Sequence, residues 1–189
     1  TINALFIPAA FAALIATVGP TPLYAETSLR VADFQATDPP GWRIVNDTVM
    51  GGRSSSDFHV DEGKLTFSGY LNTNGGGFAS IRRSLEGSDL ANSNVVRVRV
   101  LGDGRTYQLR LHPNNSSVSY KASFSTKPGT WMVVEANMAD FQATWRGREL
   151  DRPAIAAKDV GSVGFLLADG RDGPFSLSVD WIEFAAETE

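Results

Sequence analysis

Residues 96 to 112 alternate in character. Val96, Val98 and Val100 share one phase and Arg97 and Arg99 the other; after Gly102-Asp103-Gly104 the pattern resumes with Tyr107, Leu109 and Leu111 against Gln108, Arg110 and His112. Only extended backbone sends successive side chains to opposite faces. The stretch is therefore strand, and the glycine turn inside it predicts a hairpin with one buried and one wetter face. The same period recurs at Val118, Tyr120, Ala122 and Phe124, at Val163, Phe165 and Leu167, and at Phe175, Leu177, Val179 and Trp181. Phe58 to Val60 and Leu65 with Phe67, joined by Asp61-Glu62-Gly63, predict a second hairpin. In all, about ten short strands with turn signals every ~8 to 12 residues predict an all-β sandwich or barrel. Asn137 to Ala157 lacks the period and is predicted to be a long loop with a short helical turn near Asp140.

The chain has 189 residues, enough for one domain with a sizeable core, placed at residues 26–189. Ahead of it, Ile2 to Val18 is an apolar run, followed by Gly19-Pro20-Thr21-Pro22 and then Ala25. An apolar stretch, a helix-breaking region and a small residue predict a signal peptide over residues 1–25 and a periplasmic or secreted, extracytoplasmic domain. The alternative is a membrane anchor at residues 2–18; at ~1.5 Å per residue it reaches only about 26 Å, against a hydrocarbon core of ~30 Å. Residues 1–25 carry no charge, which disfavours an Arg-rich transit peptide.

Composition removes several function classes. There is no cysteine and there are only 2 histidines, His59 and His112, so thiolate and histidine-rich metal centres are excluded. Both histidines are predicted to be plain surface residues. A net charge of −4 and a pI near 5.2 argue against nucleic acid as a partner. Gly75-Gly76-Gly77 lacks the Gly-Lys-Ser/Thr end of a phosphate loop, and no helix follows it, so a nucleotide site is rejected. No serine stands in a Gly-x-Ser-x-Gly context, and the aspartates stand at turns and strand ends, where backbone hydrogen bonds account for them. Asp169 and Asp172 could offer oxygens to Ca²⁺, but their spacing is not that of an EF-hand, and no metal or cofactor is assigned.

What remains is a surface. Two glycine-rich clusters, Asn46-Asp47-Thr48-Val49-Met50-Gly51-Gly52-Arg53-Ser54 and Asn74-Gly75-Gly76-Gly77-Phe78-Ala79-Ser80-Ile81-Arg82, each carry an arginine, and the predicted loop supplies Trp145 and Arg146. Asn46, Asp47, Arg53, Phe78, Ser80, Arg82, Trp145 and Arg146 are expected to meet at one sheet face as a ligand or partner surface. Flat aromatic area edged by guanidinium donors is a usual composition for such sites. Two arrangements stay open: Ala79 and Ile81 point inward and expose Phe78 and Arg82, or Phe78 is buried and Arg82 closes an internal ion pair with Asp47.

These clusters, with Gly102-Asp103-Gly104-Arg105-Thr106-Tyr107, Trp145-Arg146-Gly147, Val163-Gly164-Phe165, Gly173-Pro174-Phe175 and Asp180-Trp181-Ile182, resemble the successive blocks of the complex I intermediate-associated protein 30 family. The resemblance covers most of residues 26–189. It implies a galactose-binding-like jelly-roll β-sandwich similar in shape to carbohydrate-binding modules, and a non-catalytic role. The family's mitochondrial members help assemble respiratory NADH:ubiquinone oxidoreductase, which implies a protein partner and a chaperone-like or scaffold role. A glycan is the alternative partner, bound by an extracytoplasmic carbohydrate-binding module.

Overall fold

The computed structural model describes residues 28–35 and 41–186; the predicted signal segment lies outside them. The strands are β1 (Ser28–Ala32), β2 (Trp42–Ile44), β3 (Ser55–Asp61), β4 (Lys64–Leu71), β5 (Ala79–Ser84), β6 (Val95–Leu101), β7 (Thr106–Pro113), β8 (Ser119–Ser125), β9 (Trp131–Asn137), β10 (Gln142–Trp145), β11 (Arg148–Glu149), β12 (Val160–Leu167) and β13 (Gly173–Ala185). They form two antiparallel sheets packed as a jelly-roll β-sandwich. Sheet A runs β3-β4-β13-β6-β9, with β1 also on β13; sheet B runs β11-β10-β8-β7-β12-β5-β2. β13 is the spine of sheet A: its first half pairs with β4, its last residues with β1, and β6 lies along its other side.

The alternating apolar phase is the core except at Trp181, where a register shift after Val179 turns the ring outward beneath Arg30 and sends Ile182 and Phe184 inward instead. Val96, Val98, Val100, Leu109, Leu111, Phe165, Leu177 and Val179 are all fully buried. Leu65 and Phe67 join them from the β3–β4 hairpin, whose turn at Glu62 and Gly63 lies where the sequence put it. Ring contacts between Phe67 and Phe175, and between Phe124 and Phe165, fill the layer between the sheets.

The hairpin predicted for residues 96 to 112 does not form. β6 pairs with β13 and β9, whereas β7 pairs with β8 and β12. Gly102-Asp103-Gly104 instead carries the chain from sheet A to sheet B. Both strands still present their apolar phase to the one core, because they face each other across it. At the crossing Gly102 bridges Pro128, and a Cβ on Gly102 would sit 2.4 Å from the Thr126 side chain. The β6–β7 and β8–β9 connections, both crossing between the sheets, thus run side by side, and a glycine is required for their close approach. The stretch read as a long loop is also more ordered: a 3-10 turn at Met138–Asp140 is followed by a small β10–β11 hairpin with Trp145, Arg146 and Gly147 at its tip.

The loop before β13 is held from inside. Arg105, 4% exposed, donates from Nε and Nη2 to both Asp169 carboxylate oxygens, at 2.9 and 2.6 Å. It also donates to the carbonyls of Arg171, Gly173 and Pro174. Asp103 accepts from the Tyr107 hydroxyl and the Ser176 amide. Asp169 and Asp172, considered above as calcium ligands, have protein partners: Arg105 for the first and the Thr73 amide for the second.

Leu109 lies fully buried in the middle of β7, paired on both sides, so Leu109→Ala leaves a cavity in the core. It should cost about 2 to 5 kcal/mol in urea unfolding; a loss under ~1 kcal/mol would contradict this account of the core.

Candidate functional site

The two glycine clusters meet at one carboxylate. Asp47 opens the 3-10 turn Asp47–Met50 and is fully buried. Its Oδ1 accepts from the Ser54 amide at 2.9 Å, and its Oδ2 from Ser54 Oγ at 2.6 Å, the Gly77 amide at 2.6 Å and the Phe78 amide at 3.3 Å. Burial opposes ionisation, but these donors outweigh it, and the carboxyl is held below the usual carboxylate range. A Cβ on Gly52 would lie 2.2 Å from Asp47 Cγ, and one on Gly76 2.4 Å from Oδ2. These glycines make room for the carboxylate rather than lowering a binding face.

Asp47 therefore sits beneath the surface. No ion pair joins it to Arg82, because its acceptor positions are taken by Ser54 and the Gly77–Phe78 backbone. Asn46 is also occupied, its Oδ1 accepting from Ser56 Oγ at 2.7 Å. Arg53 is exposed but lines neither of the hollows described below.

With Asp47 fixing Gly77 and Phe78, β5 begins in a set phase. Ala79 and Ile81 are fully buried, so Phe78, Ser80 and Arg82 fall on the outer side of sheet B. Ser80 donates to the Val45 carbonyl, and Arg82 belongs to a transverse row. Strand register places Arg43 opposite Arg82, Arg82 opposite Gly164, Gly164 opposite Arg110, and Arg110 opposite Lys121. Side chains at paired positions share a face. The row thus crosses β2, β5, β12, β7 and β8 with its cations on one side. A Cβ on Gly164 would lie 2.7 Å from Arg82 Cα, so the row is notched at its middle.

Two hollows of about 550 Å³ each lie along this face. Phe78, Met50, Gln108, Arg110, Leu166 and Arg146 help line the first; Arg43, Arg82, His112, Asn114 and Ser162 help line the second. Arg146 takes a positive φ of 47° at the hairpin tip and lies over the Trp145 ring, which is 38% exposed, at 5.1 Å. Phe78, Ser80, Arg82 and Arg146 are accordingly gathered on one face with Trp145 at its rim, whereas Asn46 and Asp47 lie behind it.

Arg110 is the most enclosed cation of this row. It donates to Gln108 Oε1 at 2.9 Å, to Thr144 Oγ1 at 3.0 Å and to Ser119 Oγ, all neutral partners. Burial brings its pKa down to about 10. Arg82 is lowered first by burial and then by Arg43. His112 is not the plain surface residue expected: burial first, then Arg82, Arg110 and Arg43, push it down to about 4.

Arg43, Gln108, Arg110, His112 and Lys121 were absent from the sequence-derived site. Their outward strand phase carries cations and no acids, but so does that of Arg97 and Arg99, which are paired with carboxylates, and sequence alone does not separate the two cases. Among the described residues no cluster of three or more His, Cys, Asp or Glu could hold a metal ion.

The two-sheet sandwich has the fold of carbohydrate-binding modules. The fold matches the family 11 carbohydrate-binding module from Clostridium thermocellum in complex with a β-1,3-1,4-mixed-linked tetrasaccharide, with a TM-score of 0.63, 15% identity, and coverage of 86% of this chain and 97% of that one. A family 29 carbohydrate-binding module gives a TM-score of 0.53 at 10% identity over 85% of this chain and 89% of that one. Residues 32–179 match the model of the complex I intermediate-associated protein 30 family. The chain belongs to that family. The mitochondrial complex I intermediate-associated protein 30 of Drosophila melanogaster is 27% identical over 80% of this chain and 61% of its own length. The mouse protein is 26% identical over 75% and 51%. The chain thus spans about half to three-fifths of the curated relatives it matches.

Two predictions concern the site's chemistry. Asp47→Asn turns an NH₂ toward backbone donors that need an acceptor, and Gly76→Ala forces a methyl into the carboxylate; each should cost at least ~2 kcal/mol in chemical denaturation. Stability unchanged by both would refute the junction. His112 is neutral in the fold, and the unfolded chain binds its proton from about pH 6.5 downward. The unfolded state therefore holds more protons between pH ~6.5 and ~4, and stability falls as pH drops through that window. Urea unfolding at pH ~7 and ~4.5 should show His112→Gln losing on the order of 2 kcal/mol less than the parent chain; equal losses would contradict a buried, cation-flanked imidazole.

Proposed function

We propose that this chain is a non-catalytic binding protein with a scaffold or assembly role toward a membrane protein complex, and that the outer face of sheet B is its docking surface. The family match across residues 32–179 carries the reading. The relatives are named as proteins associated with a complex I intermediate, and a role in handling a respiratory assembly intermediate is proposed for this chain by extension. Phe78, Ser80, Arg82, Trp145 and Arg146 are the contact residues expected from sequence that lie on or beside this face. Arg43 and Arg110 extend the set. Asn46 and Asp47 contribute by holding β5 in phase.

A second reading, a carbohydrate-binding module, is favoured by one observation: the fold neighbours are such modules, and one of them is bound to a tetrasaccharide. The apolar Ile2 to Val18 run supports an extracytoplasmic site of action for either reading, after cleavage near Ala25 or as an anchored form.

The test compares capture of proteins from solubilised membranes with binding to a glycan array. Arg82→Gln and Trp145→Ala should each weaken the captured partner by about 1 kcal/mol or more while the melting temperature stays nearly constant. A defined glycan bound with no membrane protein captured would favour the second reading, and unfolding of both variants would remove the face from either.

A further inference from the structure

The two outer faces of the sandwich treat their charges differently. On sheet A, Arg30 pairs with Glu183 at 3.3 Å, Arg97 with Glu135 at 2.6 Å, and Arg99 with Asp180. On sheet B, Lys121 at the β10–β11 end reaches Glu149 at 2.8 Å. Arg43, Arg82 and Arg110 have no carboxylate partner among the described residues. Arg43 and Arg82 stand directly opposite each other in register, a like-charge pairing that destabilises a sheet. The Nε atoms of Arg82 and Arg110 are buried with no acceptor. A chain that neutralises one face and leaves a costly row of guanidiniums on the other is organised there for an external anion.

We propose that the trough binds an acidic segment of a protein partner, with carboxylates seated on Arg43, Arg82 and Arg110 and an apolar side chain against Met50, Phe78 and Leu166. The inference rests on the docking-surface reading above and adds the chemistry of the occupant. Strands are ~4.8 Å apart, so from Arg43 to Arg110 the row crosses roughly 14 Å, a span suited to several residues of extended peptide. At the Phe78 end Met50 is 61% exposed and Val49 69%. An adaptable apolar contact of this kind suits a peptide side chain. A sugar ring would want an open aromatic plate on the floor; Phe78 is half-buried there, and the tryptophans are elsewhere. Trp42 is buried, Trp131 and Trp181 lie under Arg99 and Arg30 on sheet A, and Trp145 is at the rim with Arg146 over it.

The test is fluorescence anisotropy of the whole chain with a labelled peptide of mixed Glu and Leu, using the same peptide with Gln for Glu as the neutral control. The Glu peptide should bind and weaken steeply with added salt, and the Arg43→Gln/Arg82→Gln variant should lose at least about tenfold in affinity. Arg99→Gln on sheet A should bind as the parent chain does. Circular dichroism and melting confirm that the variants are folded. No preference for Glu over Gln, equal loss in Arg99→Gln, or displacement of the peptide by polygalacturonate at lower concentration would overturn the proposal, the last by assigning the row to an acidic glycan. Membrane capture run in parallel separates the two readings. Capture that persists under excess Glu peptide overturns this inference and leaves the assembly role standing. Glu-peptide binding with no captured membrane protein supports the inference and counts against the assembly role.

Discussion

A single buried carboxylate sets the geometry on which the face of sheet B depends. Asp47 gathers donors from Ser54, Gly77 and Phe78, so residues far apart in the chain are fixed to one point. Its cost is desolvation, and four charge-assisted hydrogen bonds offset it. The consequence is phase: once Gly77 and Phe78 are held, Ala79 and Ile81 must enter the core and Arg82 must face out. A slip of one residue would bury the arginine and expose the isoleucine. The two glycine clusters, then, serve to place β5, and the outward side chains of the proposed docking face, Phe78, Ser80 and Arg82, follow from its phase.

Much of the fold was legible because period two is a statement about faces. It identified the buried phase of β6, β7, β12 and β13 from Val96 to Val179. It could not say which sheet a strand joins. A strand at Val96 and a strand at Leu109 look alike whether they are hydrogen-bonded neighbours or face each other across the core, and Gly102-Asp103-Gly104 serves a crossing as readily as a turn. The signal that could decide, the fit of Gly102 against Thr126, belongs to a contact between distant residues. The β10–β11 hairpin was missed for a different reason: four residues paired with two are too short for a period to show.

The candidate face was half legible. Phe78, Ser80, Arg82, Trp145 and Arg146 could be picked out from their glycine-rich or loop surroundings. Arg43, Arg110 and His112 could not, because a basic residue on the outward phase of a strand looks the same with or without a carboxylate opposite. Arg97 and Arg110 illustrate the point. Both alternate with valine or leucine, yet Arg97 meets Glu135 and Glu183 across its sheet, and Arg110 meets Gln108, Ser119 and Thr144.

The position of β13 bears on how the chain is made. It is the spine of sheet A, pairing β1, β4 and β6, yet it is the last strand described. While the chain is being synthesised, β4 and β6 wait with no strand between them, and their edges and apolar faces stay open until residue 185 has left the ribosome. Sheet A therefore closes late, slowly as in other folds rich in distant pairings, and its open edges are exposed meanwhile to mispairing. A protein proposed to take part in the assembly of others is thus itself completed last at the centre of one sheet.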